Sequence, residues 1–215
     1  MFNFFKGEPT HYVIKYVGGR VAREGAGLAF YYLRHNTQIV TVPTTSTDAS
    51  FVFNEVTNNH QAVTIQGQFT YRIRDPKQAA ALLNFTIDLH RRSYVSDDPE
   101  QLSQRVANVI QVETRAEVQQ RSLEETLTQS SAMSTEVLAR LQTSPLLQPL
   151  GVELLSIYFL SVKPTPEMAK ALEADYRESL LRRADEAVYA RRAAAVDEER
   201  KIKERELETE RTLEQ

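Results

Sequence analysis

Four histidines, His11, His35, His60 and His90, have the widest chemical range of any residues in this chain, because a neutral imidazole can bind a metal or carry a proton near neutral pH. No two stand four apart, the spacing that sets paired imidazoles over zinc on one helix face. No thiolate can complete such a site either, since the chain has no cysteine. The adjacent carboxylates Asp97 and Asp98 could hold a cation, but Pro99 and Glu100 follow them directly, so helix capping is their expected job. Gly25-Ala26-Gly27 lacks the third glycine and the following helix of a dinucleotide loop, and no Gly-x-Ser-x-Gly elbow occurs. His90-Arg91-Arg92-Ser93-Tyr94 is a short basic loop with one aromatic; it could touch phosphates, lipid headgroups or an acidic partner, and it also reads as a plain solvated loop. The expectation is of no catalytic residue, no metal and no cofactor.

The elements that carry these residues begin with strands. His11 to Val17 meets Gly18-Gly19 and continues through Arg20 to Arg23, the pattern of a hairpin with a two-residue turn. Extended pieces are expected at 27–32, 37–42 and 51–56. From Val63 to Ile73 the period is two: Val63, Ile65, Phe69, Tyr71 and Ile73 face one way and polar residues the other, with Gly67 as the gap. Asp75-Pro76 opens a short helix packing through Ala79 to Phe85, because aspartate caps free amides and proline suits the first turn. Helical spacing of Leu102, Val106, Val109 and Ile110 predicts a long helix from Asp97 to about Thr128, and a further helix covers 134–141. Val152 to Val162 is apolar on both faces, as in a strand covered on each side.

Beyond Pro166 no glycine or proline occurs, and Glu, Arg, Lys, Ala and Leu dominate, which predicts one long helix to Gln215. Asp197 and Lys201, like Glu199 and Lys203, are spaced for helical ion pairs, worth only about 0.2–0.5 kcal/mol each. Its thin apolar set, Leu180, Val188, Val196, Ile202, Leu207 and Leu213, is the candidate oligomerisation surface. The eleven-residue steps from Val196 to Leu207 and from Ile202 to Leu213 favour a nearly straight or slightly right-handed coil. Lateral contact among many parallel helices and a single solvated charged helix both remain open.

Charge is balanced before residue 166, and the whole net charge of -3 falls after it, so bulk electrostatics recruits no nucleic acid. No stretch approaches the length that spans a bilayer, and Met1-Phe2-Asn3-Phe4-Phe5-Lys6 is too short for a signal-peptide core. Phe2 in place of glycine excludes myristoylation. Phe2, Phe4 and Phe5 are the candidate membrane contacts, each worth roughly 1.5–3 kcal/mol if buried, and the same residues could instead cap the core.

Several short strands, then helices, then a Gly-Val strand ending in proline and feeding a charged helix form an ordered set. Its residues are Gly25-Ala26-Gly27-Leu28, Thr57-Asn58-Asn59-His60-Gln61-Ala62-Val63, Tyr71-Arg72-Ile73-Arg74-Asp75-Pro76, and Gly151-Val152-Glu153 through Pro164. The set resembles the SPFH or Band 7 domain of stomatins, prohibitins and flotillins over almost the whole chain. Two stretches depart from it. Thr57-Asn58-Asn59-His60 stands where the family often has Thr-Lys-Asp-Asn, and Gln119-Gln120-Arg121-Ser122-Leu123 replaces the usual Arg-Glu turn.

The resemblance implies an α+β fold: a head of short antiparallel strands plus helices, then a long, coiled-coil-like charged helix. The expected divisions are a strand-rich half over 1–76, a helical half with a closing strand over 77–165, and an assembly helix over 166–215. It further implies a non-enzymatic scaffold whose main partner is itself, in a ring or cage, organising a membrane patch or a membrane protease. The N-terminal membrane helix of stomatin-like members is not seen in this sequence, which resembles members acting in the cytoplasm or peripherally at the cytosolic face of a membrane. Two other classes stay open: a small-oligomer adaptor regulating a protease or another client, and an enzyme whose polar pocket the sequence does not reveal.

Overall fold

The computed structural model describes residues 2–213 apart from Arg92, without the side chains of Phe2 and of residues 207–213. Phe2, Leu207 and Leu213, named above as contact residues, lie outside the described side chains. The fold is α+β, with a head that closes at Pro164 and a separate unit beginning at Thr165.

The head holds two antiparallel sheets and a ribbon. β2 (His11–Val17) lies between β3 (Arg20–Ala26) and β5 (Thr37–Pro43), while β1 (Phe2–Lys6) pairs with β4 (Ala29–Leu33). Gly18 and Gly19 turn the β2–β3 hairpin at φ values of 57° and 78°, the left-handed pair that a two-residue turn demands and that glycine adopts without strain. The second sheet has the order β6 (Thr47–Val56), β7 (Ala62–Ile73), β8 (Val152–Pro164). The period-two face of β7 is its inner face: Val63, Ile65, Phe69, Tyr71 and Ile73 are all buried. Gly67 is the gap because Phe51 pairs with it and lays its ring there; a Cβ would collide with that ring and come within 2.5 Å of the Tyr158 carbonyl.

Helices cover that inner face. Asp75 caps α1 (Pro76–Leu82) by accepting the Lys77 and Gln78 amides at 3.0 and 3.2 Å. This helix stops three residues short of Phe85, since Leu83 is extended; the chain then runs beside β5, with the Thr41 amide on the Phe85 carbonyl and the Ile87 amide on Ile39. α2 (Asp98–Val118) packs over β6, and α4 (Ser130–Thr143) over β8. Asp97 contributes its carbonyl and not its side chain to the start of α2, because its φ of -80° and ψ of 2° leave the extended geometry that a capping side chain needs. Asp98 instead accepts the Asn84 amide at 3.1 Å.

Two expectations are corrected here. The long helix ends at Val118, ten residues early, and α3 (Leu123–Thr128) restarts from a capping box in which Ser122 and Glu125 satisfy each other's amides. β8 is not covered on both faces. It is an edge strand with two register breaks against β7, and Leu155, Tyr158 and Leu160 are exposed among the described residues. The second unit is one helix, α5 (Pro166–Leu213), 48 residues and so about 70 Å long.

Candidate functional site

Residues of the β1–β4 ribbon alternate sides, and this sorts the N-terminal aromatics. Phe5 pairs with Phe30 and packs on the buried cluster of Val13, Phe30, Tyr32 and Ile39. Phe4 pairs with Tyr31 on the opposite face, their rings 5.1 Å apart, and the two remain 52% and 69% exposed. Lys15 fastens the ribbon to β2, its Nζ donating to the Tyr31 carbonyl at 2.9 Å and resting 4.7 Å over the Phe30 ring.

Between the ribbon, β5 and the segment 87–94 lies a cleft of about 640 Å³. Strand pairing brings Lys6, His11 and Arg34 to it, and the loop beyond Ile87 adds Asp88, His90 and Tyr94. The Arg34 guanidinium lies 3.2 and 3.4 Å from the two His90 ring nitrogens; since a guanidinium only donates, the nitrogen that receives it is unprotonated. Asp88 accepts the His90 amide at 2.7 Å, a bond that holds its carboxyl below the usual range. His11 pairs with Glu8 at 3.4 Å. The half-buried Tyr94 hydroxyl donates to the Thr41 carbonyl at 3.2 Å, and burial pushes its pKa up, so it stays a neutral phenol. Two histidines named from the sequence thus share this cleft. His35 lies in a short 3₁₀ turn after β4, and His60 sits apart in a turn at φ 59°. Among the described residues no group of His, Asp and Glu could hold a metal ion.

The two stretches that depart from the family pattern face each other. The Asn58 amide donates to the Arg121 carbonyl at 3.0 Å, and its side chain reaches the Gln120 carbonyl at 3.4 Å. His60 fills the left-handed position of the 57–61 turn, a conformation in which His, like Asn, is enriched. Beneath the junction Glu117 is almost wholly buried. Arg121 donates to its Oε1 at 3.0 and 2.7 Å, whereas Arg140 stands 2.6 Å from Oε2 as an ion pair without an aligned hydrogen bond. Arg121 also reaches Glu136 at 2.6 Å. Nearby, buried Glu55 accepts from Arg115 at 2.8 Å and Gln111 at 2.9 Å. The Glu55 cluster ties α2 to β6, and the Glu117 cluster ties α2 and the turn after it to α4.

On α5 every described side chain from Leu180 to Glu206 is exposed. Leu180, Val188, Val196 and Ile202 are 46%, 45%, 63% and 54% exposed, and Tyr176, Leu181 and Tyr189 join them. At about 100° per residue these seven residues spread over one arc of roughly 220°, with Ile202, Val188 and Leu181 lying between Leu180 and Val196. The apolar surface is therefore a broad, sparse arc over more than half of the helix circumference. Glu199–Lys203 forms at 3.0 Å, and Arg200–Glu204 forms in place of the expected Asp197–Lys201 pair. No described helix is long and apolar enough to cross a membrane.

A family model described as the SPFH domain / Band 7 family matches residues 5–208. No curated protein matches the chain.

Proposed function

We propose, from the premise that this chain belongs to the SPFH domain / Band 7 family, that it is a non-enzymatic scaffold assembling into a ring or cage of like subunits on the cytosolic face of a membrane. The broad apolar arc of α5 carries this reading. A helix built for one partner shows a narrow stripe; one with exposed leucine, isoleucine, valine and tyrosine over more than half of its circumference suits a neighbour on each flank. Repeating such a heterologous contact closes a ring when the rotation per subunit allows it. Phe4 and Tyr31 give each subunit a small apolar face toward the membrane, and many weak faces in one particle add at high effective concentration. The clients of such an assembly would be a membrane patch or a membrane protease.

Light scattering coupled to size exclusion, without detergent, tests the reading on the full chain and on a version ending at Pro166. A particle of many subunits that falls apart on truncation supports the scaffold. Monomers or dimers from both chains refute it and favour an adaptor that needs a client.

A further inference from the structure

We propose that β8 is the edge along which two heads join: it pairs antiparallel with β8 of a second copy across a two-fold axis at Tyr158, merging two three-stranded sheets into one of six. The order β6-β7-β8 leaves β8 bonded on one side, and at 13 residues it is the longest strand described. Among the described residues, no backbone bond from 153–163 goes anywhere but to β7. Leu154 to Val162 carry no charge, glycine or proline, and Leu155, Tyr158 and Leu160 are 40%, 61% and 70% exposed. A long apolar edge of that kind is a template for another chain. The other edges of the two sheets are guarded: β3 carries Arg20, Arg23 and Glu24, β6 carries Asp48, and the chain at 85–87 bridges β5.

The strand's own sequence selects a second copy of itself. Pairing centred on Tyr158 sets Glu153 opposite Lys163 of the second copy at both ends, and Leu154 opposite Val162. Glu153, Tyr158 and Lys163 share the outer face with their β7 partners Arg72, Gln68 and Thr64; Leu154, Ile157, Phe159 and Val162 share the inner one, so like meets like on both faces. Glu153 already accepts from Arg72 at 2.7 Å, so the end pairs fix register more than they supply attraction. A slip of two residues would set Lys163 against Leu155 or Gly151, and a slip of one would set inner residues against outer ones. The two register breaks against β7 admit Leu155 and Leu160, on either side of Tyr158, so the kinks of the paired strands fall side by side. Covering these exposed residues and the half-buried Phe159 and Val162 on both copies removes on the order of 1,200 Å² in total, the lower size of a specific interface. The contact stands apart from the one along α5; together they would build a cage from paired heads.

The chain has no cysteine, so a single introduced thiol reports its own neighbour. Directly opposed residues of an antiparallel pair have Cα atoms about 4.5–5.5 Å apart, within disulfide reach. Three full-length variants are oxidised at low concentration and read on a denaturing gel: Tyr158→Cys, Val52→Cys on β6 and Val21→Cys on β3, all at exposed positions. The expected result is a covalent dimer from Tyr158→Cys, formed roughly tenfold or more faster than from the other two, because paired thiols meet at high effective concentration. Equal rates in all three overturn the pairing. Faster coupling in a mixture of Tyr158→Cys with Val52→Cys than in Tyr158→Cys alone moves the contact to β6 and refutes the two-fold. Ser156→Cys mixed with Leu160→Cys keeps the test open if losing Tyr158 weakens the contact: these chains should couple to each other faster than either couples to itself. No coupling at 158 and no such preference overturns the pairing whatever the particle's size. Light scattering separates this contact from the ring: coupling at 158 in a chain no larger than a dimer upholds β8 and refutes assembly along α5, and a many-subunit particle without coupling does the reverse. Matching circular-dichroism melts check that the variants fold.

Discussion

Arg121→Ala should destabilise the head by about 2–3 kcal/mol, more than removing any exposed ion pair on α5. The figure follows from the burial of its partner. Glu117 is 4% exposed, and both of its aligned hydrogen bonds come from Arg121. Removing one partner of a buried pair costs about 3–5 kcal/mol because the remaining charge has lost its compensation. Arg140 stays 2.6 Å away, which recovers part of that cost. At about 2–4 °C per kcal/mol for a chain of this size, the midpoint should fall by roughly 5–10 °C. The assay is thermal and urea unfolding at one fixed protein concentration, since assembly shifts apparent stability by mass action. Glu117→Gln should cost about 1 kcal/mol, because Arg121 keeps Glu136 and Gln129. The double variant should be no worse than Arg121→Ala, giving a coupling of about 1–2 kcal/mol. A loss below about 1 kcal/mol for Arg121→Ala, or strict additivity in the cycle, would refute the reasoning.

Gly67→Ala should cost about 2–3 kcal/mol, since the new Cβ meets the Phe51 ring and a backbone carbonyl that cannot yield; urea unfolding reads it, and Phe51→Leu in the same chain should recover part of the loss. Thr114→Val should raise stability by about 1 kcal/mol in the same assay, because the Thr114 hydroxyl is buried without a hydrogen-bond partner. The Ser122 amide, and then its hydroxyl, hold the Glu125 carboxyl below its usual range. A depressed carboxyl stabilises above its unfolded pKa and loses that contribution as pH falls through the folded value, so the urea-midpoint gap between the unaltered chain and Glu125→Gln should be full at pH 7 and close in acid below about pH 4.

Much of the head could be read from local signals. β7 was legible because one face is buried and the other wet, which writes a period of two into Val63 to Ile73. The β2–β3 hairpin was legible because its turn needs two left-handed residues and Gly18-Gly19 supplies them. The break after Val118 was missed although Ser122-x-x-Glu125 spells a capping box, because apolar spacing continues across it through Leu123. The open face of β8 was hidden by composition: Leu155, Tyr158 and Leu160 look like core until the strand is seen to end the sheet with two register breaks. The cleft lay furthest from view. Lys6, Arg34 and His90 line one cleft only because β1 pairs with β4 and the segment after Phe85 returns along β5, and no local pattern announces such long-range pairings. The alternation that turns Phe5 inward and Phe4 outward could have been written from the sequence, once β1 was recognised as a strand.

Single-particle electron microscopy of the full chain in detergent-free buffer tests the central claim most directly. Contact across the broad apolar arc of α5 predicts closed rings or cages with a uniform subunit number. Particles no larger than a dimer, or open fibres of indefinite length, would contradict it.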